Sequence, residues 1–442
     1  MKQNTNEAVY DARTFGVPKM MILGFQHMFA MFGATVLVPA LTGLSVSATL
    51  LFAGLGTLLF HFLTKGKVPA FLGSSFAYLA GYAAIAPNGE KELLPYACVG
   101  VACSALLYFI LAGLIKAFSV ERVMKFFPPI VTGPIIIAIG LTLSSSAISN
   151  CSADWLVAII AIVIVVVCNI WGKGMIKIIP IILGVLGSYA VGILRQDVDF
   201  AAIRDAAWIG LPFQSSDTVF SIFQYPDSGL LINAIITIMP IALATMVEHI
   251  GDICAISSTV GKNYIKDPGL HRTLIGDGAA TFMASLFGAP ANTTYGENTG
   301  VLSLTKVFDP RVVRIAAYLA IVFSFSPKFA AVVSSMPTAT IGGVSLVLYG
   351  MISAVGVRNL VENQVDFSKS RNVIIAALIL VLAIGIKYVN ATGAITFTIG
   401  EVTISLTGLA VAAVIGIALN AILPGKDYVF DAGEEENLKD IQ

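Results

Sequence analysis

The chain has 442 residues, of which 57% are hydrophobic and only 12% are charged, and its mean hydropathy is +0.87. This composition excludes an ordinary soluble domain, in which the charged share is near a quarter. The formal net charge is +0, so the charge balance gives no reason to expect a nucleic acid as partner. The composition predicts an all-α polytopic membrane protein that is surrounded by a lipid bilayer.

Apolar runs predict about fourteen transmembrane segments, because a helix of about 17–25 residues crosses a bilayer. The predicted spans cover residues 18–45, 47–64, 68–86, 93–117, 128–147, 154–171, 176–194, 229–252, 272–288, 290–308, 312–334, 338–355, 372–388 and 402–423. The third span is interrupted by Pro69 and Gly73, and the tenth by Pro290 and Gly296. We expect each of these two spans to be a short extended stretch followed by half a helix.

The positions of Lys and Arg predict the orientation, since cytoplasmic loops carry an excess of these residues. Fourteen spans leave both termini on one side of the membrane. With both termini in the cytoplasm, the basic residues that face outward are Lys91, Arg195, Arg204, Lys328 and Lys387. So strong a bias supports the span count and predicts cytoplasmic termini.

Short sequence segments that recur within the chain predict an internal repeat. Gln26-His27 on the first span recurs as Glu248-His249 on the eighth, and Pro69-Ala70 recurs as Pro290-Ala291 at nearly the same offset. Each half then holds seven spans, and because seven is odd, the second half enters the membrane from the opposite side. The chain is therefore predicted to form a 7+7 inverted repeat, an architecture typical of secondary transporters.

The two interrupted spans predict where a substrate binds, since such transporters hold it near the bilayer midplane where broken helices meet. Extended backbone at that depth must be hydrogen-bonded, so residues 68–75 and 289–296 are expected to pair as a short antiparallel ribbon. The half-helices that follow direct free N–H groups toward a cavity. Phe76 and Tyr295 flank this cavity, either to stack on a flat ring or to pack the core.

Three ionisable residues on the predicted eighth span are candidates for proton coupling. Glu248 and Asp252 are spaced i,i+4 and share one face, whereas His249 points about 100° away. Two partly desolvated acids on one face are not both fully ionised at neutral pH, which suits a proton carrier. Asp252 either has this role or caps the helix near its cytoplasmic end. His249 either assists proton coupling or, like His27, ties helices together.

Glu297 lies on the glycine-broken tenth span, opposite the matching break, and is a second candidate acid for binding. Backbone N–H groups near Phe76 and Gly296 can donate to carbonyl oxygens, while Glu248 and Glu297 accept from ring N–H groups. This pattern suits a planar, neutral heterocycle and argues against a small anion. Asp277, which lies between two glycines, is interpreted as structural.

Sequence motifs give no indication of an enzyme. The chain carries no Gly-x-Ser-x-Gly, no phosphate-binding P-loop and no Cys-x-x-Cys, and its four histidines show no metal-ligand spacing. We therefore expect a protein that is not an enzyme, is not driven by ATP and needs no cofactor or metal.

Several stretches resemble the nucleobase–ascorbate transporter family, also called nucleobase:cation symporter-2, over nearly the whole chain. The family signature is met by Glu297-Asn298-Thr299-Gly300 through Thr305-Lys306. Further similar stretches are Gln26-His27-Met28-Phe29-Ala30-Met31-Phe32-Gly33-Ala34-Thr35, Leu72-Gly73-Ser74-Ser75-Phe76, Glu248-His249 and Asp267-Pro268-Gly269-Leu270-His271-Arg272. The similarity is to bacterial members that transport uracil.

The resemblance implies two domains in a bacterial inner membrane. A core, substrate-binding domain of spans 1–4 and 8–11 would comprise residues 1–126 and 229–335. A gate domain of spans 5–7 and 12–14 would comprise residues 127–228 and 336–425. Residues 426–442 would form a cytoplasmic tail, and a homodimer would form through the gate domain.

The resemblance also implies proton-driven uptake of uracil or a related nucleobase. The residues that it implies for the binding site are Glu248, Glu297, Phe76, Tyr295 and Gly296, with Ala34 nearby. Asp252 stands where related uracil transporters can carry histidine, so the proton route stays open. A xanthine or uric acid permease of the same family is the main alternative, and a nucleobase channel or sensor is a further one.

Overall fold

A computed structural model describes residues 8–224, 226–389, 393–399, 402–426 and 428, and it describes the backbone alone at positions 178, 297, 304, 398, 399 and 402–405. Most of the expected cytoplasmic tail, residues 427 and 429–442, lies outside the described residues. The described chain is mostly helical and contains two small two-stranded ribbons.

The elements follow one another along the chain in the order given below. The helices are α1 (Val17–Thr42), α2 (Val46–Leu63), α3 (Leu79–Ile85), α4 (Leu94–Phe118), α5 (Val120–Met124), α6 (Pro129–Cys151), α7 (Trp155–Trp171), α8 (Met175–Ile178), α9 (Pro180–Leu194), α10 (Ala201–Asp205), α11 (Ser228–Ile238), α12 (Ala242–Val260), α13 (Leu270–Leu286), α14 (Gly296–Thr305), α15 (Pro310–Ser324), α16 (Pro327–Ser334), α17 (Thr338–Glu362), α18 (Ser370–Val389) and α19 (Gly408–Ile422). The strands are β1 (Leu72–Ser74), β2 (Asn292–Thr294), β3 (Ala394–Ile399) and β4 (Val402–Thr407). Short 3-10 turns occupy Ala12–Phe15, Phe76–Tyr78, Ser215–Asp217, Val219–Gln224 and Met239–Ile241, and a π turn occupies Ile265–Gly269.

Local side chains fix where several helices begin and end. The Ser45 side chain accepts a hydrogen bond from the N–H of Ala48 at the start of α2, and Asp154 accepts from the N–H of Leu156 at the start of α7. Such caps satisfy N–H groups that have no partner within the helix. Helix α1 ends at Thr42, and the next residue, Gly43, has a φ of 80°, a conformation that glycine adopts without strain.

Seven helical segments of the described chain are long and apolar enough to cross a membrane. They are α1, α2, α4, α6, α11 and α12 together, α17 and α18. Four shorter apolar helices, of 10–17 residues, are Phe76–Ile85, α7, α9 and α19. The chain is therefore a multi-pass helical membrane protein, and the count of fourteen spans stays a prediction.

The eleventh predicted span, 312–334, is wrong as a single helix. The pair formed by α15 and α16 is bent by 90° between Ser324 and Pro327. The Ser326 side chain accepts a hydrogen bond from the N–H of Phe329 at 3.3 Å, and proline occupies the first turn of α16. Both features start a new helix, which explains the break.

The fourteenth predicted span, 402–423, is helical only from Gly408. Residues 402–407 form β4, which pairs antiparallel with β3 from Ala394 opposite Thr407 to Ile399 opposite Val402. Strand β3 was not expected from the sequence. This stretch is rich in Val, Ile and Thr, which favour strands, yet its hydropathy is that of an apolar helix. Hydropathy alone therefore assigned the wrong structure.

The helices pack in two groups. In the first group, α2 packs against α1, α13 and α15, and α4 packs against α13. In the second group, α17 packs against α6, α7 and α9, and α18 packs against α6 and α19. Contacts of α1 with α9 and of α12 with α6 join the groups.

Glycines bring α6 and α17 close together. A Cβ atom at Gly140 would lie 2.2 Å from the carbonyl oxygen of Tyr349, and one at Gly356 would lie 2.6 Å from that of Gly133. Small residues at a helix crossing allow the backbones to approach, which is a common basis of helix association in membranes. The second group is therefore built around this crossing.

Candidate functional site

Strands β1 and β2 form the ribbon that the sequence predicted between the third and tenth spans. They are antiparallel, with Gly73 opposite Thr293 at the centre. Just beyond the strand ends, the N–H of Ser75 donates to the carbonyl oxygen of Ala291 at 2.9 Å. The predicted pairing of these two extended stretches is confirmed.

Two threonines hold the outward-facing backbone of this ribbon. Hydrogen-bonded and non-hydrogen-bonded pairs alternate in antiparallel strands, so the N–H and C=O groups of Leu72 and Asn292 point away from the partner strand. Thr57 Oγ1 on α2 accepts from the N–H of Leu72 at 2.9 Å and donates to its carbonyl oxygen at 3.3 Å. Thr281 Oγ1 on α13 accepts from the N–H of Asn292 at 3.3 Å and donates to its carbonyl oxygen at 2.9 Å. We call these two arrangements the threonine clasps.

His249 and Asp277 also bind the ribbon. The N–H of Thr294 donates to Asp277 Oδ1 at 2.8 Å. His249 Nδ1 lies 3.0 Å from Thr294 Oγ1 and 3.4 Å from Asp277 Oδ1, and both ionisable side chains are fully buried. This geometry agrees with the structural interpretation of Asp277. It places the His249 ring among ribbon residues.

Tyr295 lies across the end of the ribbon, 5% exposed. Its hydroxyl donates to the carbonyl oxygen of Ser74 at 2.9 Å, and a Cβ atom at Gly73 would lie 2.6 Å from its ring. Ser74 Oγ donates to the carbonyl oxygen of Thr35 at 2.9 Å and lies 3.4 Å from that of Ala34. The structure therefore brings Ala34 on α1 and Tyr295 together at the ribbon.

Each strand of the ribbon leads into a short helical segment. Strand β1 is followed by the 3-10 turn Phe76–Tyr78 and then α3, and α14 begins directly after Tyr295. The first N–H groups of a helix lack partners within it and carry partial positive charge. Gly296 is exposed, although Tyr295 and Asn298 on either side of it are buried. Accessible space therefore reaches the beginning of α14.

Phe76 connects the ribbon to the second group of helices. Its ring is 7% exposed and meets the ring of Tyr349 on α17 edge-on, with centroids 6.0 Å apart and planes at 77°. Edge-to-face contacts of this kind are favourable between aromatic rings. Sequence reasoning did not anticipate Tyr349 as the partner of Phe76.

Helix α12 brings a buried carboxyl group to the beginning of α14. Asp252 is 8% exposed, and its Oδ1 would lie 2.9 Å from a Cβ atom at Gly296. The interpretation of Asp252 as a solvated cap is therefore wrong. Glu248, one turn earlier, is half-buried, and Gly251 and Ala255 on the same face are exposed. This face of α12 borders the accessible space.

The first turn of α14 carries the remaining predicted residues. Glu297 follows Gly296 there, and its side chain lies outside what the structure describes. Asn298 donates from Nδ2 to the carbonyl oxygen of Pro69 at 2.7 Å. His27 is fully buried on α1, and α1 packs against α14. These contacts tie the start of α14 to the first and third spans.

Buried hydroxyl groups that sequence reasoning missed anchor α12. Tyr108 donates from its hydroxyl to Thr245 Oγ1 at 2.7 Å. The Tyr78 hydroxyl lies 2.7 Å from Ser104 Oγ and 3.4 Å from Thr245 Oγ1. The only sequence signal for these residues is a hydroxyl within an apolar span. The spans contain many such hydroxyls, so none could be singled out.

The family follows from a comparison of the sequence with family models. Residues 18–392 match the model Xan_ur_permease, which describes the Permease family. The chain belongs to this family. The family resemblance seen in the sequence motifs is thus confirmed over most of the chain.

Relatives in the family are similar over nearly their whole length. The chain is 39% identical over 441 residues to the uracil permease of Bacillus caldolyticus, covering 98% of each chain. It is 38% identical over 427 residues to the uracil permease of Bacillus subtilis (strain 168), covering 93% of this chain and 94% of the relative. It is 35% identical over 431 residues to the uracil permease of Escherichia coli (strain K12), covering 94% and 95%.

Two solved transporters share the fold. The transmembrane domain of the cyanobacterium bicarbonate transporter BicA superposes with a TM-score of 0.58 at 13% identity, covering 94% of this chain and 99% of that one. The murine Solute Carrier 26 family member A9 anion transporter in the inward-facing state superposes with a TM-score of 0.60 at 12% identity, covering 95% and 73%. At such identities the likeness concerns the fold alone, which is that of a polytopic helical transporter.

Proposed function

We propose that this protein is a proton-coupled uracil symporter that imports the nucleobase by alternating access. Uracil permease is the name of the three relatives described above. The structural observation that carries the proposal is the position of Asp252 and Glu248, whose helix face borders Gly296 at the open beginning of α14. Hydrogen-bond acceptors and a helix N-terminus thus meet in one accessible place.

This arrangement matches the hydrogen-bonding groups of uracil, whose ring alternates N–H and C=O groups. In the proposed complex, Glu248 and Glu297 accept from the ring N–H groups, and the backbone N–H groups near Gly296 and Phe76 donate to the ring oxygens. Tyr295 supports the backbone that leads into α14, because its hydroxyl donates a hydrogen bond to the carbonyl oxygen of Ser74 in β1. A small anion would be repelled by the acids, which favours the neutral nucleobase.

We assign proton coupling to the acids of α12. Asp252 is buried one turn after Glu248 on the same face. Two carboxyl groups one turn apart, on a helix face that borders accessible space, can take up a proton together with the substrate and release it afterwards. His249 is bound to the ribbon and would influence these acids through the orientation of α12. The proton is the proposed coupling ion, with no cofactor.

We also propose the finer architecture on the same basis. The threonine clasps are built alike, since each binds both backbone groups of one strand residue from the helix before that strand. Equivalent contacts in both halves support a 7+7 inverted repeat of fourteen spans. The two packing groups support a core domain and a gate domain. A bacterial inner membrane location, cytoplasmic termini and a homodimer through the gate domain complete the proposal.

Uptake of labelled uracil tests the proposed function in bacterial cells that lack their own uracil permease. Expression of this chain should give uptake that excess unlabelled uracil competes away and that a protonophore abolishes. Uptake that persists with the protonophore would refute proton coupling. Competition by xanthine or uric acid, with none by uracil, would instead identify a purine permease. Flux without accumulation against a gradient would indicate a channel.

Glu297→Gln tests the proposed contact with the ring N–H group. We expect uracil binding to weaken by about 1.5–3 kcal/mol, the scale of a hydrogen bond to a charged group. Isothermal titration calorimetry of the purified protein measures this change. Glu362→Gln, the same substitution at the exposed end of α17, is the matched control and should bind uracil as the parent does. Unchanged affinity in both variants would remove Glu297 from the site.

A further inference from the structure

An apolar groove of about 710 Å³ lies away from the candidate site, between α4 and α5 on one side and α19 on the other. Its walls include Leu111 and Phe118 from the α4 side and Val414 and Ile417 from α19. Leu111 is buried, whereas Phe118 and Val414 are 54% and 50% exposed. The groove is thus a concave, outward-facing surface that an apolar chain can fill.

One charged residue lines this groove. Arg122 on α5 is exposed, and its side chain forms no ion pair or hydrogen bond with the residues that the structure describes. Lys116 and Lys125 are exposed nearby along the chain, and Glu121 is the single acid between positions 116 and 125. The rim of the groove therefore carries a positive charge, at Arg122, that no described residue pairs with.

Hydrogen bonds fix the position of α19, which forms one wall of the groove. Asn420 near the end of α19 donates from Nδ2 to the carbonyl oxygen of Lys125 at 2.9 Å. Its Oδ1 accepts from Arg371 on α18 at 2.7 Å. Helix α19 is thereby fixed to the segment that leaves α5, beside Phe126 and Phe127 in the groove wall. An occupant would find its binding surface already in place.

We propose that this groove binds one anionic phospholipid of the surrounding membrane. An acyl chain fits the apolar walls, since burying methylene groups is favourable. The negatively charged phosphate of the headgroup pairs with Arg122, because basic residues at the membrane surface attract anionic lipids. A lipid with a zwitterionic headgroup carries its own positive charge and offers Arg122 a weaker partner.

The position of the groove gives the bound lipid a role in transport, and this consequence rests on the proposed function. The groove lies at the boundary expected between the core and gate domains, at residues 126 and 127. Leu243, which also lines it, is on α12 five residues before Glu248. A lipid wedged there contacts both domains and the helix that carries the proposed substrate acids. Anionic lipid should therefore change the rate of uracil uptake.

Lipid binding to the purified full chain tests the proposal without using uracil. Native mass spectrometry in detergent measures the binding of phosphatidylglycerol and of phosphatidylcholine with identical acyl chains. We expect about fivefold tighter binding of phosphatidylglycerol, as for one basic residue at a membrane surface. Arg122→Gln should remove this preference, and Arg122→Lys should keep it. Lys173→Gln, which removes an exposed charge outside the groove, should leave it unchanged.

A second variant tests the acyl chain. Ala418→Trp places a bulky ring on the groove wall and should weaken the binding of both lipids. Equal binding of the two lipids to the parent would mean that the groove holds only the ordinary lipid annulus. A preference that survives Arg122→Gln would show that Arg122 does not bind the headgroup. Unchanged lipid binding in Ala418→Trp would place the lipid elsewhere. None of these outcomes depends on uracil transport, so they leave the proposed function untouched.

Discussion

Replacing Thr281 by valine removes one of the two threonine clasps without changing the shape of the side chain. The N–H and the C=O of Asn292 then lose the hydroxyl that binds them at 3.3 and 2.9 Å. Thr281 is 0% exposed and Asn292 is 2% exposed, so bulk water does not reach the vacated positions. The substitution therefore leaves one donor and one acceptor of a buried strand unpaired.

The expected cost follows from these two bonds. A buried backbone group without a partner costs about 1–3 kcal/mol. The bond to the carbonyl oxygen of Asn292 is short, whereas the bond from its N–H is long and therefore weaker. We therefore expect the two lost bonds together to lower the free energy of unfolding by about 2–4 kcal/mol. Thr281→Ser keeps the hydroxyl and removes a single methyl group, at a cost of about 1 kcal/mol. The difference between the two variants isolates the hydroxyl.

Thermal unfolding of the purified protein in detergent, with and without uracil, measures the effect. The valine variant should unfold at a lower temperature than the serine variant. It should also bind uracil more weakly, because β2, which begins at Asn292, leads through Tyr295 to Gly296 at the beginning of α14. Thr57→Val and Thr57→Ser form the matched pair on the other strand and should unfold in the same order. If the valine and serine variants unfold together at either position, the clasps do not hold the ribbon.

Three further substitutions test the site. Gly296→Ala would place a Cβ atom 2.9 Å from Asp252 Oδ1, so calorimetry should show uracil binding weakened about tenfold or more. Gly300→Ala, whose Cβ atom meets nothing within 4 Å, is its control, and equal losses in both variants would contradict the contact. Tyr295→Phe removes the hydrogen bond to Ser74 and should lower the unfolding temperature by an amount equivalent to about 1–3 kcal/mol; parent-like unfolding would show that this bond is dispensable. Asp252→Asn should reduce uphill uracil accumulation in proteoliposomes while the affinity changes less than about threefold, and undiminished accumulation would exclude Asp252 from coupling.

The ribbon could be predicted from the sequence because its cause is local. Proline and glycine interrupt two apolar spans, at Pro69 with Gly73 and at Pro290 with Gly296. Backbone that is not helical at membrane depth must find hydrogen-bond partners within the protein. Two such breaks, one in each half of the chain, can supply hydrogen-bond partners for one another. The observed pairing of β1 with β2 agrees with this reasoning.

The residues that complete the ribbon could not be predicted, since their role depends on tertiary contacts. Thr57 and Thr281 lie within apolar spans like many other hydroxyl-bearing residues, and only the folded chain shows which of them meet a strand. The strands β3 and β4 were missed for a different reason. Hydropathy counted the Ile and Val residues of β4 as the start of an apolar helix, and it left β3 in the connection between two predicted spans, because the period of the pattern is needed to recognise a strand.

The two halves of the chain share the construction of the ribbon but not its chemistry. On each side a threonine clasps a strand and a short helical segment follows. The acids lie on one side only, with Glu248 and Asp252 on α12 and Glu297 on α14, whereas the first half contributes Phe76. A planar ligand between the halves would thus have its ring N–H groups bound by the acids of one half and its face covered by an apolar ring from the other. Because Phe76 also meets Tyr349 of the second helix group, movement between the groups would disturb this cover while the acids stay with α12 and α14.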